Sequence, residues 1–379
     1  MKQIRIEDGL IVSVTGADIS RPEKTEGLQL FFKDAIAFPG LINSHDHLDF
    51  NLFPQLGNGI YNSYKEWGTD IHLRHKDAIS SVLRIPLHLR SRWGLYKNLL
   101  NGITTVMHHG APQQVEPNLI SVGQEADSFH SVSGEKNWRL KLLNPARRKK
   151  PVVIHTGEGI GADAFAEINK LLRWNILERP LIGIHGIAMT PQQAESFRAL
   201  VWCPGANYFL FGKTAAIDQL KHKTQILFGT DSTVSASWNI WEHLRLARKQ
   251  NMTADVELFD MLTRVAADIW PVKNSGHLAA DKNADLVVAQ PSPGAKGWDA
   301  FYTLNPENIL LVMHKGCIRL FDQSLYRQLT EGGYPQNEFY KIAVGNAVKY
   351  VQGGLPGLME EIRGHYPSAC FPASVQKAP

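Results

Sequence analysis

Phe38-Pro39-Gly40-Leu41-Ile42-Asn43-Ser44-His45-Asp46-His47 is an apolar run that ends in two histidines separated by one residue. Along a β-strand, residues i and i+2 project from the same face, so His45 and His47 are placed to grip one cation together. A bare His-x-His is more often a pair of solvated loop histidines, because histidine is common at surfaces. Three further strand-end motifs overturn that reading. Pro151-Val152-Val153-Ile154 delivers His155 and, three residues on, Glu158. Leu181-Ile182-Gly183-Ile184 delivers His185, and Ile226-Leu227-Phe228-Gly229-Thr230 ends at Asp231. A core polar residue sits inside an apolar pattern with a local partner, whereas each of these falls where an apolar run stops. The ligand types suit one zinc ion or a similar divalent metal, with Fe2+ and Mn2+ as alternatives.

Between residues 39 and 275 apolar strands alternate with helical stretches such as Ala162 to Trp174 and Trp238 to Lys249, the pattern of an α/β barrel. In such barrels the site forms where strands end and loops begin, and all five ligand candidates obey that rule. Residues Gln3 to Phe38 read as short strands broken at Gly9, Gly16, Arg21-Pro22 and Gly27, part of a small β-domain. Ala284 to Ala289 and Ile309 to Arg319 are again strand-like. The expected division is 1–38 with 276–322 as a composite β-domain, 39–275 as the barrel, and 323–379 as an accessory helical segment in which Phe339 to Val351 is the amphipathic candidate.

At 379 residues and 44% hydrophobic content the chain suits a soluble globular enzyme. Its N-terminus carries charges where a signal peptide needs an apolar core, and no run approaches the ~18 apolar residues of a membrane span. Cytoplasmic residence is the expectation. Cys203, Cys317 and Cys370 are too scattered for a disulfide framework. A net charge of +4 with one basic cluster, Arg147-Arg148-Lys149-Lys150, lacks the stripe and aromatic platforms of nucleic-acid binding. A small-molecule substrate is expected, with no nucleic acid and no membrane, and homo-oligomerisation stays open.

Together these motifs resemble the amidohydrolase superfamily on its cytosine deaminase, guanine deaminase and chlorohydrolase side. The matching segments are Pro39 to His47, Gly102-Ile103-Thr104-Thr105-Val106, His155 to Glu158, His185, Cys203 to Asn207, Gly229 to Ser232, and Leu278 to Val288. The resemblance implies a (β/α)8 barrel with a small β-sandwich built from both chain ends. It also implies that Asp231 both touches the metal and takes a proton from water. No lysine stands in a matching fourth-strand context, so a mononuclear site held by His45, His47, His155 and Asp231 is expected. One departure stands out: the stretch between Gly110 and Pro151 is short for two strand-helix units, each of which needs about 30 residues. A distorted or incomplete barrel follows as an alternative.

Glu158, where strand turns into helix, suits a carboxylic acid that protonates a leaving nitrogen. His185 would then polarise or hydrogen-bond the group under attack. His108 and His109 end one strand, so alternation sends only one of them inward. His109, His130 and Trp238 are the candidate substrate contacts. A dinucleotide fingerprint around Gly157-Glu158-Gly159 fails because the next strand ends in His185 and not in an acid. The reading is a hydrolase that attacks a carbon–nitrogen bond with metal-activated water, as a deaminase of an N-heterocyclic small molecule. The alternatives are ring-opening of a cyclic amide, as in imidazolonepropionase or hydantoinase, and a non-catalytic barrel relative.

Overall fold

The structure, a computed structural model, describes residues 2–16, 27–115 and 119–375; the Arg21-Pro22 break lies outside them. Strands β1 (Lys2–Glu7) and β2 (Leu10–Gly16) form an antiparallel hairpin around Asp8-Gly9, both at positive φ. The chain then enters β3 (Ile36–Pro39) and, after Gly40, the fully buried β4 (Leu41–Asp46).

Parallel strands follow in order: β5 (Ile103–His108), β6 (Ser121–Gly123), β7 (Asp127–Phe129), β8 (Val152–Thr156), β9 (Leu181–His185), β10 (Ala199–Trp202) and β11 (Gln225–Phe228). They pair as β4-β5-β6 and as β7-β8-β9-β10-β11. Only residues 124–126 separate β6 from β7. A crossover between parallel neighbours takes a dozen residues or more. The two are therefore halves of one bent strand, the first paired to β5 and the second to β8. This is the physical content of the short stretch after Gly110: one strand-helix unit is missing from the wall. A cavity lies at the bend, reaching Ser44, His45, His109 and Trp270.

At the other seam no ladder joins β4 to β11. Instead Ile42 N donates to Leu262 O at 2.7 Å and Phe228 N to Met261 O at 3.3 Å. Beyond β11, the amides of Thr230 and Asp231 both reach His45 O at 3.1 Å. Gly229 is required there, since a Cβ would come within 2.8 Å of the Cβ of His45 and of Val201 Cγ1. The helices Ala162–Trp174 and Ile240–Lys249 occupy the expected stretches. Helix Leu87–Leu100 is buried along most of its length, because it is wedged between the barrel and the sheet described next.

That sheet has seven strands. It runs from β3 through β12 (Leu286–Ala289), β13 (Ile309–His314), β14 (Cys317–Asp322), β16 (Ala347–Gln352) and β15 (Phe339–Val344) to β17 (Ala373–Val375). The β13–β14 hairpin turns on Lys315-Gly316, both at positive φ, as a two-residue hairpin demands. The segment Phe339 to Val351, expected as a helix, is instead the β15–β16 hairpin. The sheet thus continues past residue 322, and helices Tyr326–Glu331 and Leu355–His365 flank strands in the tail. Ile6 of the N-terminal hairpin packs with Leu286, Leu311 and Phe321 on one sheet face.

Candidate active site

The strand ends deliver the side chains to one rim. His45 closes β4 and is 1% exposed; His47 follows it, and its ring stacks on that of His155 at 5.4 Å between centroids. His155 Nε2 lies 3.4 Å from His45 Nε2. Asp231 Oδ1 stands 3.6 Å from His45 Nε2 and 3.7 Å from His47 Nε2. Four donor atoms arranged tetrahedrally about zinc at 2.0–2.1 Å would be roughly 3.3–3.4 Å apart, so these separations are those of a ligand shell. His45, His185 and Asp231 also fall within ligand distance of one another.

The donors are held ready by outer partners. His155 Nδ1 donates to His130 O at 2.8 Å, which leaves Nε2 with its lone pair facing inward. His185 Nδ1 donates to Asn207 Oδ1 at 2.8 Å, and the Asn207 orientation follows from Nδ2 donating to Thr214 Oγ1 at 2.9 Å. Asp231 accepts from Ser232 N on Oδ1 and from Ser235 Oγ on Oδ2, each at 2.8 Å. His185 and Asp231 both sit at positive φ, 71° and 57°. Non-glycine residues adopt that region only under constraint, and such outliers collect at functional sites.

Burial and mutual repulsion set the protonation states. Desolvation foremost, then the charge of His45, brings the His47 pKa down to about 3, and desolvation brings that of His185 to about 4. Burial holds His155 well below the ordinary histidine value. Neutral imidazoles are what a cation needs. Asp231 stays ionised, since the neighbouring histidines outweigh its burial. Glu158 goes the other way: burial first, then the charge of Asp231, pushes its carboxyl well above the usual range. It is 7% exposed, with Oε1 3.6 Å from His185 Nε2, and the Asn62–Tyr64 segment lies over it, with Tyr64 N donating to Glu158 O.

His109 enters the cluster, 4.5 Å from the His155 ring, with Nδ1 on Ser128 Oγ and Nε2 buried without a partner among the described residues. His108 turns outward to Leu48 N and Ala111 O. His130 contributes its carbonyl to the site, and its ring lies 5.4 Å from that of His155, though the residue is exposed. Trp238 packs half-buried on the hydrophobic core, where its carbonyl accepts from Asn101. Sequence reasoning missed the roles of Ser235 and Ser128, which carry no motif of their own, and that of Asn207, which it placed in a matching segment without assigning it a partner.

The sequence pattern of the amidohydrolase family matches residues 139–319. That match spans a little under half of the chain. A hydrolase acting on carbon–nitrogen bonds is what that match supports. Among solved structures, an adenosine deaminase from Xanthomonas campestris with bound zinc is similar at 16% identity and a TM-score of 0.62, over 88% of this chain and 92% of that one. A guanine deaminase from C. acetobutylicum with bound guanine gives 14% identity and 0.63, over 84% and 94%. A mutant atrazine chlorohydrolase from Arthrobacter aurescens TC1, complexed with zinc and atraton, gives 16% and 0.60, over 88% and 94%. At such identities the likeness is one of fold. No curated protein matches the chain by sequence. Among the described residues no helix is long and apolar enough to cross a membrane.

Proposed function

We propose that this protein is an amidohydrolase, a mononuclear, metal-dependent deaminase of a flat N-heterocyclic small molecule, working in the barrel formed by residues 39–275. The observation that carries the reading is Glu158: a buried carboxyl that keeps its proton, placed beside a neutral His185 and across from an ionised Asp231. Two carboxyl groups whose environments push their pKa values apart are an acid and a base assignment.

His45, His47 and His155 through Nε2, with Asp231 through Oδ1, would hold one divalent ion, zinc being the best match to three nitrogens and one oxygen. Such an ion, when bound, supplies the site with a water whose pKa is lowered toward about 7. Asp231, ionised and hydrogen-bonded to Ser232 and Ser235, is the base that receives the proton released as the carbon is attacked. Glu158 gives its proton to the departing nitrogen. His185 presents an acceptor Nε2, because Asn207 fixes the proton on Nδ1, and so holds a hydrogen of the reacting group rather than donating one. His109, with a free Nε2 facing the cluster, is the polar contact for the heterocycle.

Deamination is favoured over ring-opening because the pairing of His155 and Glu158 with Asp231-Ser232 resembles the deaminase branch, whereas the proton chemistry serves either reaction. Screening zinc-loaded protein against purines, pterins, pyrimidines and triazines tests it. Deamination to a keto product changes the mass by about one dalton and releases ammonia, whereas ring-opening adds a whole water, about 18 daltons. Turnover showing only the latter refutes the deaminase reading.

A further inference from the structure

On the side of β4 away from the histidine rings, Asp46 is fully buried and gathers donors from helix Leu87–Leu100 and from Asn51. Lys97 Nζ meets Oδ2 at 3.0 Å, Asn98 Nδ2 meets the same oxygen at 2.7 Å, and Asn51 Nδ2 meets Oδ1 at 2.8 Å. Lys97, itself 1% exposed, also donates to Thr230 Oγ1 at 2.9 Å. Asn43 Nδ2 reaches that hydroxyl at 2.8 Å, and the hydroxyl passes its own hydrogen to Asp231 O at 3.1 Å. Thr230 N closes the lattice on Asn43 Oδ1 at 3.1 Å.

A buried ion pair is a poor source of stability, because taking both charges out of water offsets most of their attraction. What it does supply is fixed direction. The lattice spans the seam where β4 and β11 have no ladder of their own, and its two ends are the residue between His45 and His47 and the residue before Asp231. Asp231 stands at φ 57°, a conformation its surroundings must impose.

We propose that the Lys97–Asp46–Thr230 lattice is a positioning device, which sets the separation of Asp231 from His45 and His47 and thereby the affinity of the site for its divalent ion. The proposal rests on the reading that those three side chains are ligands. Lys97 acts through its neighbours, with no contact to the reacting atoms.

The test is zinc affinity of the full chain, measured by chelator competition, with the visible spectrum of the cobalt-loaded protein as a second readout. Thr230→Val removes the bridging hydroxyl at nearly constant volume and leaves the ion pair intact. It should lower zinc affinity about 10–100-fold, the usual cost of losing an outer partner, and alter the cobalt spectrum. Thr230→Ser should restore both. The charge-balanced double variant Asp46→Asn/Lys97→Met should show the same affinity loss. Wild-type affinity and spectrum in folded Thr230→Val overturns the proposal even if the protein melts at lower temperature, and so does a Thr230→Ser variant as impaired as Thr230→Val. If the double variant fails to fold, the threonine pair decides. Zinc binding by wild type that survives His45→Ala refutes the ligand reading itself, which separates the two failures.

Discussion

Replacing Glu158 by glutamine probes the proton donor with the least structural change. The two side chains have the same shape, and Glu158 is a buried carboxyl held protonated well beyond its usual range, so one neutral group replaces another. What disappears is the transferable proton. Loss of a general acid costs about 10²–10⁴ in rate, or about 2.7–5.4 kcal/mol of barrier at about 1.36 kcal/mol per factor of ten. Because Glu158 Oε1 faces His185 Nε2 and not the 3.4–3.7 Å shell of His45, His47, His155 and Asp231, zinc content should stay at wild-type level. The metal-free protein carries a second signature. Unfolded, the carboxyl ionises near about 4.3; folded, it ionises higher, so the stabilisation due to its protonated form is complete below pH about 4.3 and is lost as pH rises through the folded value. The glutamine variant has no such loss. Its stability should match wild type in acid and gain on it as pH rises, in denaturant titrations run at several pH values. Wild-type kcat in the variant refutes the donor assignment; loss of zinc instead of kcat makes Glu158 a ligand.

Single replacement of His45 or His47 by alanine should abolish tight zinc binding, read by elemental analysis, and unchanged metal content would refute the mononuclear site. Asn207→Ala frees the His185 ring and should lower kcat about tenfold, about 1.4 kcal/mol for one hydrogen bond to a group that takes up charge, with zinc retained; an unchanged kcat would remove His185 from the mechanism. Gly94→Ala should destabilise the fold by about 1–3 kcal/mol, because the new Cβ meets Leu48 Cα and C at 2.8 Å, both backbone atoms unable to swing aside. A thermal melt unchanged from wild type would show that helix Leu87–Leu100 does not fix the segment after His47.

The strand-end cluster was legible because each member is delivered locally: an apolar strand stops and a polar residue stands at or just past its end, a pattern carried by neighbours in sequence. The tail was misread for a related reason. Phe339-Tyr340-Lys341-Ile342-Ala343-Val344 is short and partly apolar, compatible with either period, and only pairing to β16 and β17 decides that it is a strand.

Taken alone, the sequence determined that apolar runs stop at His45, His155, His185 and Asp231 and that the stretch after Gly110 is short for two strand-helix units. Tertiary structure decided how that gap is closed, by bending one strand across two neighbours. It also decided which of His108 and His109 turns inward, and that His185 is an acceptor at Nε2. Lys97 belongs wholly to this second class. It is one lysine in a helix 51 residues from Asp46 and 133 from Thr230, and nothing in the local pattern distinguishes it from a solvated charge. Its meaning arises only when folding removes water from all three residues at once, since a hydrogen bond between groups distant in sequence leaves no periodic trace in the chain that makes it.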